Sequence, residues 1–237
     1  MQLITTRNTG AMSNAPIIES IFDPKESILL FDDFRSQIAS ADVANWNITI
    51  GSGTTAVAPG ITVQGGILTL TPTASVNVSV DTWSVFQLAG GSNLYFEASV
   101  AVDTIAASGS VFIGLSSVAG ASTTPVPCIT TAGAMNGTNS GVGFTITAAA
   151  IKGVAAITTV IATPVTVGTA VANTYYRLGM KIEGLNRVSF YLNGVLQGTI
   201  EGSTYLPTSV LYAAVCTAAV TAVKTVSVDY ITVCADR

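Results

Sequence analysis

The chain has thirteen acidic side chains and no histidine. Without histidine, Ser-His-Asp and Cys-His catalysis are excluded, and the commonest zinc ligand is missing. Glycoside hydrolysis is a reaction that carboxylates perform by themselves; the retaining mechanism needs two of them about 5 to 5.5 Å apart. Enzymes that carry both on one strand show Glu-x-Asp-x-x-Glu. Glu97 is the nearest candidate here, but Ser99 stands where an aspartate would be needed. The other acids are isolated, apart from Asp32-Asp33. Neighbours on a strand point to opposite faces, so that pair makes no dyad and reads as structural. No catalytic residue is therefore assigned.

Other chemistry is equally sparse. Cys128, Cys216 and Cys234 lack CxxC spacing and are too few for a disulfide framework. Cys216 and Cys234 both lie in strand-like segments near the C-terminus, where they could be neighbours; free buried thiols are the preferred reading. Gly141-Val-Gly143 precedes a strand and lacks the pattern of a phosphate loop. Trp46, Trp83, Tyr175, Tyr176 and Tyr205 could stack against sugar rings, or could simply fill a core, the preferred reading for aromatics within alternating strands. Asn47-Ile-Thr49, Asn77-Val-Ser79 and Asn136-Gly-Thr138 fit a glycosylation pattern that a Thr- and Ser-rich chain produces by chance. No cofactor is implied.

The elements that must position these residues are strands. Arg187-Val-Ser-Phe-Tyr-Leu-Asn-Gly-Val-Leu-Gln-Gly-Thr-Ile200 predicts a hairpin. Asn193-Gly194 supplies the two positive-φ residues of a type I′ turn, with Val188, Phe190 and Leu192 on one face and Ser189 and Tyr191 on the other. Leu94 to Val102 and Ser110 to Leu115 read as long core strands, and turn residues recur every eight to twelve positions, the rhythm of a sandwich or barrel. Val118 to Thr174 is harder to register: Ile157–Ile161 and Pro164–Val167 suggest a hairpin across Ala162-Thr163, and Ala148–Ala156 is a weak helical candidate interrupted by Gly153. Residues 1–27 read as an extended N-terminal arm, with Pro16 and Pro24 and the apolar cluster Ile17, Ile18, Ile21 and Phe22 as a candidate docking segment. Residues 28–237 form the β-domain.

Charged residues make up only 9% of the chain, against roughly 25% in ordinary soluble proteins. Between residues 104 and 176 the single charge is Lys152. Either the surface is a hydroxyl-rich β-surface, or much of it is covered by other subunits, since interface cores are depleted in charge. A net charge of −4 with scattered basic residues argues against nucleic acid as a partner. No run of eighteen apolar residues spans a bilayer, and the first ten residues lack a signal-like apolar stretch, so no membrane association is expected.

The order of segments then becomes informative: Asp32-Asp-Phe34 before Trp46, Gly65-Gly-Ile-Leu-Thr-Leu70, Tyr95-Phe-Glu-Ala-Ser-Val100, Val111-Phe-Ile-Gly-Leu115, Tyr176 to Gly194, and Val226-Ser-Val-Asp-Tyr-Ile231. Over residues 30 to 237 this resembles the concanavalin A-like, laminin-G-like jelly rolls found among structural proteins of tailed bacteriophages. The resemblance implies an all-β jelly-roll sandwich of antiparallel strands. It also implies a non-enzymatic virion protein, a head decoration or cement protein made in the host cytoplasm and placed on the capsid surface. Its partners would be the major capsid protein and copies of itself, in a homo-oligomer such as a trimer. The fold equally serves lectins and glycosidases, so a carbohydrate-binding or host-receptor-binding module is the alternative. Related lectins bind calcium, which makes Asp32 or Asp33 a conceivable ligand, though no set of oxygen ligands can be named and no metal site is assigned.

Overall fold

The computed structural model describes residues 27–34, 46–50, 60–64, 66–72, 77–88, 92–106, 109–117, 138–218 and 224–236. Among them there is no helix; every element is a strand, and every pairing is antiparallel. The first sheet runs in the order β14 (Val195–Glu201), β13 (Arg187–Leu192), β12 (Tyr176–Glu183), β6 (Asn93–Val102), β16 (Val226–Asp236), β4 (Ile67–Thr71), β3 (Gly60–Gln64). β1 (Ser27–Asp32) pairs with the second half of β16, beyond the part that β4 occupies. The second sheet runs β10 (Val160–Ile161), β9 (Ala150–Ile157), β8 (Gly141–Thr147), β7 (Ser110–Ser116), β15 (Val210–Ala218), β5 (Val78–Gln87), β2 (Trp46–Ile50), with β11 (Val165–Thr169) also on β9. The protein is an all-β sandwich of two antiparallel sheets.

Alternation along each strand sends one set of side chains between the sheets. β6 contributes Leu94, Phe96, Ala98 and Val100, and β12 contributes Leu178, Met180 and Ile182; facing them are Val111, Ile113 and Leu115 from β7 and Val142, Phe144 and Ile146 from β8. Phe190 of β13 meets Phe144 edge to face, with ring centroids 5.4 Å apart. That ring sits on Gly153 of β9, where a Cβ would lie 2.6 Å from its Cγ atom. The stretch that carries Gly153 is therefore a strand rather than a helix, and its glycine makes room for a ring of the opposite sheet. The hairpin at Asn193 (φ 51°) and Gly194 (φ 84°) forms as its residues dictate. The hairpin expected across Ala162-Thr163 does not: β9 turns at Thr158-Thr159 into β10, and β11 returns to pair with β9 as well. In an Ala/Thr/Val segment several registers satisfy the same pattern, and packing chooses among them.

Asp32 ties the sheets at one corner. One carboxylate oxygen accepts the Phe34 backbone N–H and the other the Trp46 indole N–H, both at 2.7 Å. Trp46 is fully buried, with the Phe34 ring 5.5 Å away. This is a structural use of Asp32, and Trp46 is core. Cys216 and Cys234, taken as possible neighbours, lie on β15 and β16 in different sheets, and both are buried. Cys128 and the Ile17, Ile18, Ile21 and Phe22 cluster fall outside the described residues.

Candidate functional site

The outer faces of the two sheets differ. On the second sheet the outward positions Phe112, Val154, Ala156, Cys216 and Ala218 are all buried as a small separate cluster. The charge-poor stretch from 104 to 176 builds β7 to β11 of that sheet. On the first sheet the outward face carries Glu97, Arg177, Lys181, Glu183, Arg187 and Asp229, together with half-buried or exposed aromatic rings. Among the described residues, most charges on an outer face therefore belong to the first sheet.

Glu97 is the centre of that face. The register of the strands sets it in a row with Tyr191, Gly179, Thr232 and Phe31. The Tyr230 hydroxyl donates to Glu97 Oε1 at 2.6 Å, and Arg177 Nε lies 3.7 Å from Oε2, an ion-pair distance too long for a hydrogen bond. Burial pushes the Glu97 carboxyl above the usual carboxylate range, and the Tyr230 bond and the Arg177 charge pull it partly back. Burial, with the Glu97 bond, also raises the Tyr230 phenol. A Cβ on Gly179 opposite would sit 3.6 Å from Oε2, in ordinary contact.

A second carboxylate would have to occupy a neighbouring position on the same face. Along the strand those positions hold Tyr95 and Ser99, and across it Gly179 and Thr232; the diagonals are Arg177, Lys181, Tyr230 and Cys234. None of these ladder positions holds an acid; the other carboxylate on this part of the face is Asp229, at the β16 bulge. No group of three or more potential metal ligands occurs among the described residues.

Beside Glu97 the face becomes aromatic. β16 carries a bulge: Val228 pairs with Val100, but Tyr230 pairs with Ser99, leaving Asp229 as the extra residue. Val228 and Ile231 both point into the core, so Asp229 and Tyr230 come out together on the outer face. The Phe31 ring of β1 stacks on Tyr230 with centroids 6.3 Å apart and remains 51% exposed. Tyr175, 42% exposed, shares a side-chain hydrogen bond with Ser227 of β16, and burial and the nearby Asp229 carboxylate raise its phenol. Lys181 stands over the Tyr95 ring at 5.8 Å and pairs with Glu183 at 3.0 Å; Glu183 also pairs with Arg187.

Of the aromatics considered from sequence, Tyr175 reaches this face, Trp46 fills the core, and Tyr176 and Tyr205 pack against the core. The Trp83 side chain lies outside what is described. Phe31, Asp229 and Tyr230 were not singled out by their sequence context. A signal for two of them exists: in Val226-Ser-Val-Asp-Tyr-Ile-Thr-Val233 the apolar positions shift from even to odd numbers after Val228, which is how a bulge reads in sequence.

The strand order in the two antiparallel sheets is that of a concanavalin A-like jelly-roll β-sandwich. No protein-family model and no curated protein matches the chain. Solved structures do match. An endo-1,3-beta-glucanase from Streptomyces sioyaensis superposes with a TM-score of 0.59 at 16% identity, over 91% of this chain and 99% of that one. The kappa-carrageenase from Pseudoalteromonas carrageenovora, solved with an oligotetrasaccharide of kappa-carrageenan, gives 0.59 at 12% identity over 93% and 100%. The carbohydrate recognition domain of Emp47p gives 0.59 at 8% identity over 90% and 98%. At these identities the likeness is one of fold.

Proposed function

We propose that the protein is a non-enzymatic, lectin-like carbohydrate-binding module, and that glycans bind on the outer face of the first sheet. The observation that carries this reading is the platform of Phe31, Tyr230 and Tyr175, partly open to solvent and bordered by Asp229 and Arg177. Sugar rings present C–H faces that pack on aromatic rings and hydroxyls that pair with carboxylates and guanidinium groups. The structural likeness to two glycan-degrading enzymes and a carbohydrate recognition domain supports the same reading. The absence of an acid from the ladder positions around Glu97 favours binding without turnover. A broad glycan array followed by titration calorimetry tests it: at least one glycan class binds, and Phe31→Ala and Tyr175→Ala each weaken binding by about tenfold. Absence of binding to every glycan overturns it.

A second reading keeps the virion setting, as a capsid decoration or cement protein contacting the major capsid protein and its own copies. Two features support it: the exposed Val195 (62%) and Leu196 (53%) on edge strand β14, and the apolar Ile17, Ile18, Ile21 and Phe22 of the N-terminal segment. Gln197 donates to the Val195 carbonyl at 3.1 Å, so a partner would meet side chains there rather than add a strand. Deleting residues 1–27 is expected to weaken particle association while the β-domain stays folded; full occupancy by the truncated protein overturns the arm's role.

A further inference from the structure

We propose that the platform selects uncharged glycans over sulfated or uronic ones, with Asp229 as the residue that sets this preference. The inference rests on the carbohydrate reading above and goes one step further, to the charge of the ligand. It follows from an inventory of the charges on the face.

Each cation there already lies against a carboxylate. Arg177 faces Glu97 at 3.7 Å, Lys181 is held by Glu183 at 3.0 Å, and Arg187 pairs with the same Glu183. Asp229 has no ion pair among the described residues, and it is exposed. The bulge turns it onto the outer face next to Tyr230, and its charge acts on both Tyr175 and Tyr230.

With Glu201 acting on Arg187 from the adjacent strand β14, the three cations of the face are matched by three carboxylates, and Asp229 is the charge left without a counter-ion beside the rings among the described residues. A sugar hydroxyl donates to the Asp229 carboxylate in a charge-assisted hydrogen bond. A sulfate or a uronate carboxylate has no proton to donate and is repelled at short range, where solvent screening is weakest. The aromatic rings do not discriminate between these ligands, because both present similar C–H faces. Discrimination falls to the carboxylate.

Matched pairs of oligosaccharides test this: a neutral galactan and its sulfated form, and a neutral glucan and its uronic form, at equal length. Titrated into the full-length protein at low salt, the neutral member of a bound pair is expected to bind about tenfold more tightly. In Asp229→Asn, an exposed change whose fold is checked by circular dichroism, the ratio is expected to fall to within about threefold, through stronger binding of the acidic member. Raising the salt should narrow the wild-type ratio in the same direction. Acidic members that bind as well as neutral ones, or a ratio untouched by Asp229→Asn, overturn the selectivity while leaving carbohydrate binding intact. Failure of both members of every pair to bind removes the carbohydrate reading and the selectivity with it.

Discussion

The Tyr230 hydroxyl donates a 2.6 Å hydrogen bond to Glu97 Oε1, joining β16 to β6 across the face that carries the aromatic platform. The bond holds the Tyr230 ring where Phe31 can stack on it. It also gives a nearly buried carboxyl one strong donor, while Arg177 stays at 3.7 Å. Glu97 thus supports the platform from beneath rather than facing a ligand.

A pH dependence of stability follows. Burial holds the folded-state pKa of Glu97 above its ordinary value of 4.5. Between the two values the folded protein binds the extra proton, so this group's contribution to stability is full at low pH and is lost as pH rises through the folded value. Glu97→Gln keeps an acceptor for Tyr230 and removes the ionisation. Relative to the wild type, the variant is expected to gain stability as pH rises from 4 to 8, read by urea denaturation across that range. Parallel wild-type and variant curves would show that the carboxyl titrates normally.

Gly153→Ala tests the contact between the sheets. The added methyl would lie 2.6 to 2.8 Å from three carbons of the Phe190 ring, which is itself held edge to face on Phe144. A loss of about 1–3 kcal/mol is expected from overpacking, measured by chemical denaturation. Combining it with Phe190→Leu should give a loss smaller than the sum of the two single changes, since the residues are in contact. Additive losses would mean that the ring is not what the methyl strikes.

Asn193 anchors the hairpin in two ways. Its backbone sits at φ 51°, and its Oδ1 accepts the Arg177 backbone N–H at 3.0 Å while its own N–H donates to the Arg177 carbonyl at 2.8 Å. Asn193→Ala should cost about 2 kcal/mol, combining left-handed strain with a lost hydrogen bond. Asn193→Gly should cost about half as much, because only the side-chain bond goes. Equal melting-temperature losses for the two variants would assign the whole effect to the side chain.

Much of the fold was legible because it is written locally. The Asn193-Gly194 turn needs two positive-φ residues and has them, and Leu94, Phe96, Ala98 and Val100 of β6 alternate over enough residues to define a buried face. The order of segments was sufficient for the jelly roll. The β9–β11 region was not legible: Ala, Thr and Val fit several registers, and Gly153, which reads as a helix breaker, answers to a phenylalanine thirty-seven positions later in the chain. Glu97 was visible as the acid most worth weighing, and Tyr175 as an aromatic suited to sugar stacking. Their neighbours were not visible, because Phe31, Asp229 and Tyr230 come from distant strands.

By itself the sequence determined an all-β protein, a type I′ hairpin, a chain without histidine chemistry and a carboxylate lacking a companion on its strand. These depend on side-chain types, short spacings and strand periodicity, which act within a few residues. Only the tertiary structure decided that most charges among the described residues lie on the outer face of the first sheet, that Trp46 is core, and that a bulge turns Asp229 outward beside Tyr230 and Phe31. Those outcomes depend on register between strands up to two hundred residues apart, set by packing of the whole sandwich and by no local preference.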